Sequence, residues 1–217
     1  MNASSLKPKH VNYLVVQWQA QDLSIGTIKN RMAHLRWWAE KVGKSSVITK
    51  DNIQLGIKHR QYVSQENKAI HLNEQTLTQI SDPYVQMSLR LQQTFGLRRE
   101  ESIKFQPAYA EQRDPLNQIH HFVGKGLLIP ANKSYIQHRN TYDGQYKKIG
   151  LNKIHGLRHA YAQTRYETLT GWKLPKASGL TSKELTPEQQ IKDQWARQVI
   201  SRELGHERIE VVRVYLG

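Results

Sequence analysis

Helix punctuation runs through this chain. Thr186 is a helix N-cap, Pro187 suits the first helical position, and Gln189 completes a capping box. From there the pattern continues to about Leu204 and stops at Gly205. Near the start, Val11, Leu14, Val15 and Trp18 recur at helical spacing. Ser24 caps a second helix whose stripe is Ile28, Met32, Leu35 and Trp38, with Gly43 as its stop. A third short element is expected near Thr49-Lys50-Asp51.

The middle follows the same grammar. Asn73 and Glu74 precede the pattern Leu77, Ile80, Val85, Met87, Leu89 and Leu91, with a break at Asp82-Pro83. Gly96 ends or bends that helix just before Arg98. Another helix is expected over about 155–169, and residues 172–183 read as a loop. A last short helix carries Tyr215. Residues 107–150 are poor in regular pattern, and Gly126-Leu127-Leu128-Ile129 is their one strand-like run.

Charge divides the chain. Lys and Arg number 32 against 18 Asp and Glu, a formal net charge of +14. Residues 1–70 hold 11 of those cations and 4 of the anions, so this part is the more basic per residue. That is the footprint of a polyanion binder, and the lack of a basic amphipathic segment with a broad apolar face favours nucleic acid over a membrane surface. Residues 1–55 read as a small helical module, the basic stretch 56–70 as a linker, and 71–217 as a larger domain; the two modules together suit a clamp around a duplex. With no cysteine, thiolate zinc sites, disulfides and cysteine nucleophiles are excluded. No apolar run has the length of a membrane span, and the segment from Met1 to Pro8 has no signal-peptide core, so a cytoplasmic protein is expected.

The chemistry-bearing residues lie in three segments: Gly96-Leu97-Arg98 with Glu101, His155-Gly156-Leu157-Arg158-His159, and Leu204-Gly205-His206 followed nine positions later by Tyr215. A phosphodiester under attack gathers negative charge on its non-bridging oxygens, and a guanidinium answers with two parallel donors. Arg98 and Arg158 are the candidates. His155 and Arg158 share a helix face at a spacing of three. His206, after a helix-stopping glycine, is placed to aim into a cleft. Tyr215 is the candidate nucleophile, a phenol that must lose its proton as it attacks. Taken singly, each residue has a plainer reading as a cap, a packing group or a surface charge. Arg99 reads as a surface residue and His159 as structural or solvent-facing. Lys29, Arg31 and Arg36 on the second helix are candidate DNA contacts, with a solvated face as the alternative and, for Arg36, packing across Trp37.

These motifs resemble those of the tyrosine recombinases, or phage-type integrases, especially those carried by bacterial integrative elements and plasmids. The resemblance implies a mainly α protein: a helical core-binding domain followed by an α+β catalytic domain with a reduced small sheet. It implies DNA recombination or integration through a 3′-phosphotyrosine, with Arg98, His155, Arg158 and His206 around the nucleophile Tyr215 and Glu101 behind them. It also implies double-stranded DNA as partner, self-association on DNA as a dimer or tetramer, a cytoplasmic, nucleoid-associated bacterial protein, and neither cofactor nor metal. The family places a general-acid lysine on a β-hairpin between the two arginine motifs. Here only 60 residues separate Arg98 from Arg158, so a shortened or deleted hairpin is expected. Lys125 is the best local candidate for that lysine and Lys133 a weaker one. The family usually continues past the tyrosine into a segment that docks on a neighbouring subunit; with Gly217 as the last residue of this sequence, weaker assembly in trans, or assembly through other contacts, is expected. A DNA-binding regulator without catalysis and a DNA-relaxing enzyme of the type IB topoisomerase kind are the alternatives; a metal-dependent nuclease fits least.

Overall fold

A computed structural model describes residues 5–61, 63–64, 66–106 and 128–217, and these are mainly helical, with no strand among them. The resemblance puts its small sheet between Arg98 and Arg158, and residues 107–127 of that interval lie outside the described residues. The chain forms two compact units, Met1–Tyr62 and Val63–Gly217.

In the first unit, α1 (Pro8–Ala20) opens with Pro at its first position and α2 (Ile25–Lys41) with Ser24, whose hydroxyl accepts the Thr27 N–H at 3.2 Å. Two 3₁₀ turns follow, Ser45–Val47 and Ile53–Leu55. Val11 and Val15 from α1 pack on Ile28, Met32 and Ala39 from α2, and Ile48 and Ile57 complete the core. Leu14 and Trp38 from the expected stripes are only partly covered, because a two-helix module has too little partner surface to bury a full stripe.

The second unit contains α3 (Glu74–Thr78), α4 (Pro83–Phe95), α5 (Arg99–Ile103), α6 (Tyr135–Lys148), α7 (Gly156–Thr170), α8 (Pro187–Glu203) and α9 (Arg213–Leu216), with 3₁₀ turns at Pro175–Ala177 and Ile209–Val212. Asp82 caps α4 by accepting the Tyr84 and Val85 N–H groups, and Thr186 caps α8 through the capping box with Gln189. α7 is the spine. Its Leu157 belongs to one apolar cluster, with Leu72, Leu77, Val85, Leu89 and Ile103. Its Ala162 and Tyr166 belong to another, with Leu174, Ala196, Ile200, Leu204 and Tyr215. Arg158 and His159 lie between Leu157 and Ala162, at the seam of the two clusters.

One helix, α6, runs where no regular pattern was expected. Ser134 and Gln137 form its capping box, and Tyr135, His138, Tyr142 and Tyr146 line its inner face. This stripe has helical period but consists of tyrosines and a histidine, which aliphatic periodicity does not register. Tyr142 is fully buried, and its hydroxyl accepts from Gln92 Nε2 at 2.7 Å; Gln92 also reaches Ser102, so the polar atoms are satisfied inside the core. Burial raises the Tyr142 phenol far above its ordinary range.

Below the second cluster sits a buried ion pair. Arg197 Nε donates to Asp193 at 2.9 Å, Tyr166 donates to the same carboxylate at 2.5 Å, and Arg197 Nη1 donates to the Gly217 carbonyl at 3.2 Å. Burial first, then the bond to Asp193, pushes the Tyr166 phenol up to about 12. Removing one member leaves the other charge buried without its partner. Asp193→Ala is therefore expected to destabilise the protein by about 3–5 kcal/mol in urea denaturation. A loss below about 1 kcal/mol would show that the pair is structurally idle.

Candidate active site

Four chain segments meet at the seam. α4 ends at Gly96, whose φ of +65° suits glycine. A Cβ there would lie 2.5 Å from the Tyr161 ring and 2.7 Å from Leu204 Cδ2, so any side chain would push α7 and the end of α8 away. The tight approach leaves the Gly96 carbonyl 2.5 Å from Arg158 Nη1. Two residues later, Arg98 begins α5. The Glu101 carboxylate accepts the Arg98 backbone N–H at 2.7 Å and its Nη1 at 2.5 Å, and lies 3.9 Å from Arg158 Nη1. Burial disfavours the Glu101 carboxylate, but its bonds to Arg98 outweigh this and hold it below the ordinary range.

α7 contributes His155 at its N-terminus, then Arg158 and His159. Arg158 is only 2% exposed, and its whole guanidinium is engaged. Besides Gly96, Nη2 donates to the Leu204 carbonyl and Nε donates to the Tyr215 hydroxyl at 3.2 Å. Arg98 differs: its side chain is 46% exposed and reaches solvent beside Glu101.

α8 ends in a Schellman turn. Gly205 takes φ +61°, its N–H reaches the Arg202 carbonyl, and the His206 N–H reaches the Ser201 carbonyl at 2.8 Å. This turn aims His206 inward, with Nε2 3.4 Å from Arg158 Nη2 and 3.2 Å from the Tyr215 hydroxyl. A guanidinium only donates, so His206 Nε2 is the acceptor and its ring proton sits on Nδ1. Tyr215, on α9, is 4% exposed. Its ring lies 4.7 Å from that of His159, 5.8 Å from His206 and 6.1 Å from His155.

Burial, followed by the charges of Arg158 and Arg98, lowers the pKa of both His155 and His206 from the ordinary histidine value. The neutral imidazole is thereby favoured at both positions and keeps a free ring nitrogen as a proton acceptor, because protonation would add a third positive charge beside the two arginines.

His159 takes no polar part in this constellation. It packs against the Tyr215 ring, its Nδ1 has no hydrogen-bond partner, and burial lowers its pKa to about 4. A folded-state value below the unfolded one means that the unfolded chain takes up the proton first. The stability from a neutral His159 is complete above about pH 6.5 and is lost as the pH falls toward 4. His159→Phe is expected to remove up to about 3 kcal/mol of that decline. Denaturant melts of both proteins at several pH values in this window would show it, and parallel profiles would refute it.

The structure thus brings Arg98, Glu101, His155, Arg158, His206 and Tyr215 into one constellation. Lys125 lies outside the described residues. Lys133 is committed elsewhere, to Asp82 and Thr141, each at 3.3 Å. Arg99 pairs with Asp143 of α6 at 3.0 Å. On α2, the Arg31 guanidinium stacks over Trp18 at 5.4 Å, whereas Arg36 turns inward to the Thr49 carbonyl and Asn52 Oδ1, each 2.9 Å from Nη2. Arg36 therefore braces the turn after α2 rather than packing across Trp37. Lys29 is half-buried on the same helix. The acceptors that sequence reasoning missed are the Gly96 and Leu204 carbonyls, because a backbone acceptor has no sequence signature beyond the glycine that lets it approach. Among the described residues no cluster of His, Asp or Glu is arranged to hold a metal, and no helix is long and apolar enough to cross a membrane.

Residues 1–48 match the family described as phage integrase, N-terminal. No curated protein and no solved structure matches the chain. The chain is integrase-like over its first 48 residues, which implies DNA binding for the module formed by α1 and α2.

Proposed function

We propose that this protein cuts and rejoins DNA as a tyrosine recombinase, through a covalent 3′-phosphotyrosine on Tyr215. The observation that carries the reading is a single oxygen: the Tyr215 hydroxyl accepts from Arg158 and faces the neutral His206. The Arg158 N–H stabilises the charge that this oxygen acquires as it attacks, and His206 Nε2 is placed to receive its proton. The oxygen forms a bond to phosphorus, the bond from phosphorus to the 5′ oxygen breaks, and the 5′ oxygen leaves as a hydroxyl after taking a proton. Lys125 remains the resemblance's candidate for that donor. Energy stored in the phosphotyrosine lets a second 5′-hydroxyl reverse the step on another strand. Arg98, exposed and facing solvent, meets the incoming phosphate first. Integration by a mobile element, and assembly as a dimer or tetramer on DNA, follow from the same reading.

The test is a nicked duplex that loses its 5′ fragment on cleavage. After denaturation a covalent protein–DNA band is expected, insensitive to chelators. Its absence across duplexes that the protein binds would end the proposal.

A second reading is a regulator that binds duplex DNA without cutting it. It is favoured by the 4% exposure of Tyr215 and by the internal hydrogen bond made by each of the three Arg158 guanidinium nitrogens. In the enzyme reading this is a resting state that DNA must open.

A further inference from the structure

A second basic pocket, of about 250 Å³, adjoins this site. Arg98, Arg99, Lys153, His155 and Tyr146 line it, and no carboxylate does. It shares Arg98 and His155 with the tyrosine site but does not include Arg158, His206 or Tyr215.

Lys153 is its unusual member. Its φ of +51° is one of three positive values among the described non-glycine residues, beside Asp22 and Ser178. Aspartate tolerates this region, and Ser178 is a short residue ending a 3₁₀ turn. Lys153 has neither feature, and glycine or asparagine would hold the same turn with less strain. The turn itself is well formed, with the Gly156 N–H bonded to the Lys153 carbonyl at 2.8 Å. Arg98 and Arg99 have carboxylate partners in Glu101 and Asp143. The Lys153 ammonium is exposed and has no acceptor among the described residues. A strained backbone that holds an uncompensated cation at a carboxylate-free pocket is the signature of a group kept for an anion.

We propose that Lys153 binds a backbone phosphate of duplex DNA, next to the phosphate presented to Tyr215, in the pocket it shares with Arg99. Only the adjacency to Tyr215 rests on the strand-transfer reading; the phosphate contact stands without it.

The experiment uses the full chain carrying Tyr215→Phe, so that no covalent product distorts the equilibrium. Affinity for a fluorescent duplex is measured over a range of sodium chloride concentrations, with Lys153→Gly, Lys153→Asn and Lys153→Arg added in turn. In the Gly and Asn variants the slope of log affinity against log salt is expected to fall by about one, the loss of one phosphate contact. The Arg variant is expected to keep the slope. Thermal midpoints of the Gly and Asn variants are expected to hold or rise, because their backbone is relieved; a lysine kept for folding would lower them. An unchanged slope overturns the proposal whichever way the midpoint moves. Stabilisation by inorganic phosphate over chloride at equal ionic strength, lost in Lys153→Gly while the DNA slope stays unchanged, would assign the pocket to free phosphate and also overturn it. The two readings fail separately: adduct formation with an unchanged slope removes the Lys153 contact alone, and a reduced slope without any adduct in the Tyr215 protein removes strand transfer alone.

Discussion

Arg158→Lys is expected to damage both folding and cleavage. The guanidinium reaches in three directions, with Nη1 to Gly96, Nη2 to Leu204 and Nε to Tyr215. A lysine carries its donors on one atom and cannot span two carbonyls on different segments as well as a phenol. The carbonyls of Gly96 and Leu204 would lose their partner, at about 1–3 kcal/mol each for a buried acceptor left unpaired. A buried, hydrogen-bonded charge would also be displaced, so a total near 3–5 kcal/mol is expected by urea denaturation. The same loss frees the end of α8, and with it His206. Adduct formation in the folded fraction should fall by about 10²–10³-fold, the scale for one lost donor at a developing charge. A folded Arg158→Lys protein that cuts within about tenfold of the parent would show that Arg158 is structural only.

Tyr215→Phe should separate chemistry from folding in the opposite way. The ring stays in its place among His155, His159 and His206, and two hydrogen bonds to its oxygen are lost. The expected cost is about 1 kcal/mol, with the Arg158 carbonyl contacts intact. Duplex affinity should not change. Covalent adduct should fall by on the order of 10⁴-fold or more, since no other phenol in the constellation can replace the nucleophile. An adduct that survives the substitution would place the nucleophile elsewhere. A parent protein that binds DNA without adduct would favour the regulator, and relaxation of supercoils without exchange between duplexes would favour the topoisomerase-like alternative.

Local chemistry made much of the helical framework legible. Ser24, Asp82 and Thr186 each accept N–H groups of the first turn that follows, and Gly96 and Gly205 end helices by taking up positive φ. Such signals act over a few residues, so they survive without tertiary context. α6 was missed because its inner stripe is Tyr135, His138, Tyr142 and Tyr146, none of them aliphatic, and because only packing provides Gln92 as the buried partner of the Tyr142 hydroxyl. Arg36 shows the converse error. On a helical wheel it joins a basic face, but the chain after α2 folds back and offers it the Thr49 carbonyl.

The residue types of the candidate site were legible as a pattern suited to a phosphodiester, and folding brings them together. What the sequence could not supply was how those side chains are engaged. Arg98 and Arg158 look equivalent as letters; folding leaves one half exposed and buries the other with each guanidinium nitrogen hydrogen-bonded inside the protein. Spacing set His155 apart from His159, but only packing shows that His155 lines the pocket with Arg98 while His159 lies against the Tyr215 ring. Lys153 looked like any loop lysine until its backbone angle and its pocket set it apart. The caps and stops were local and therefore written in the chain. The division of labour among the cations depended on which backbone carbonyls other segments brought within reach, and only the packed structure decides that.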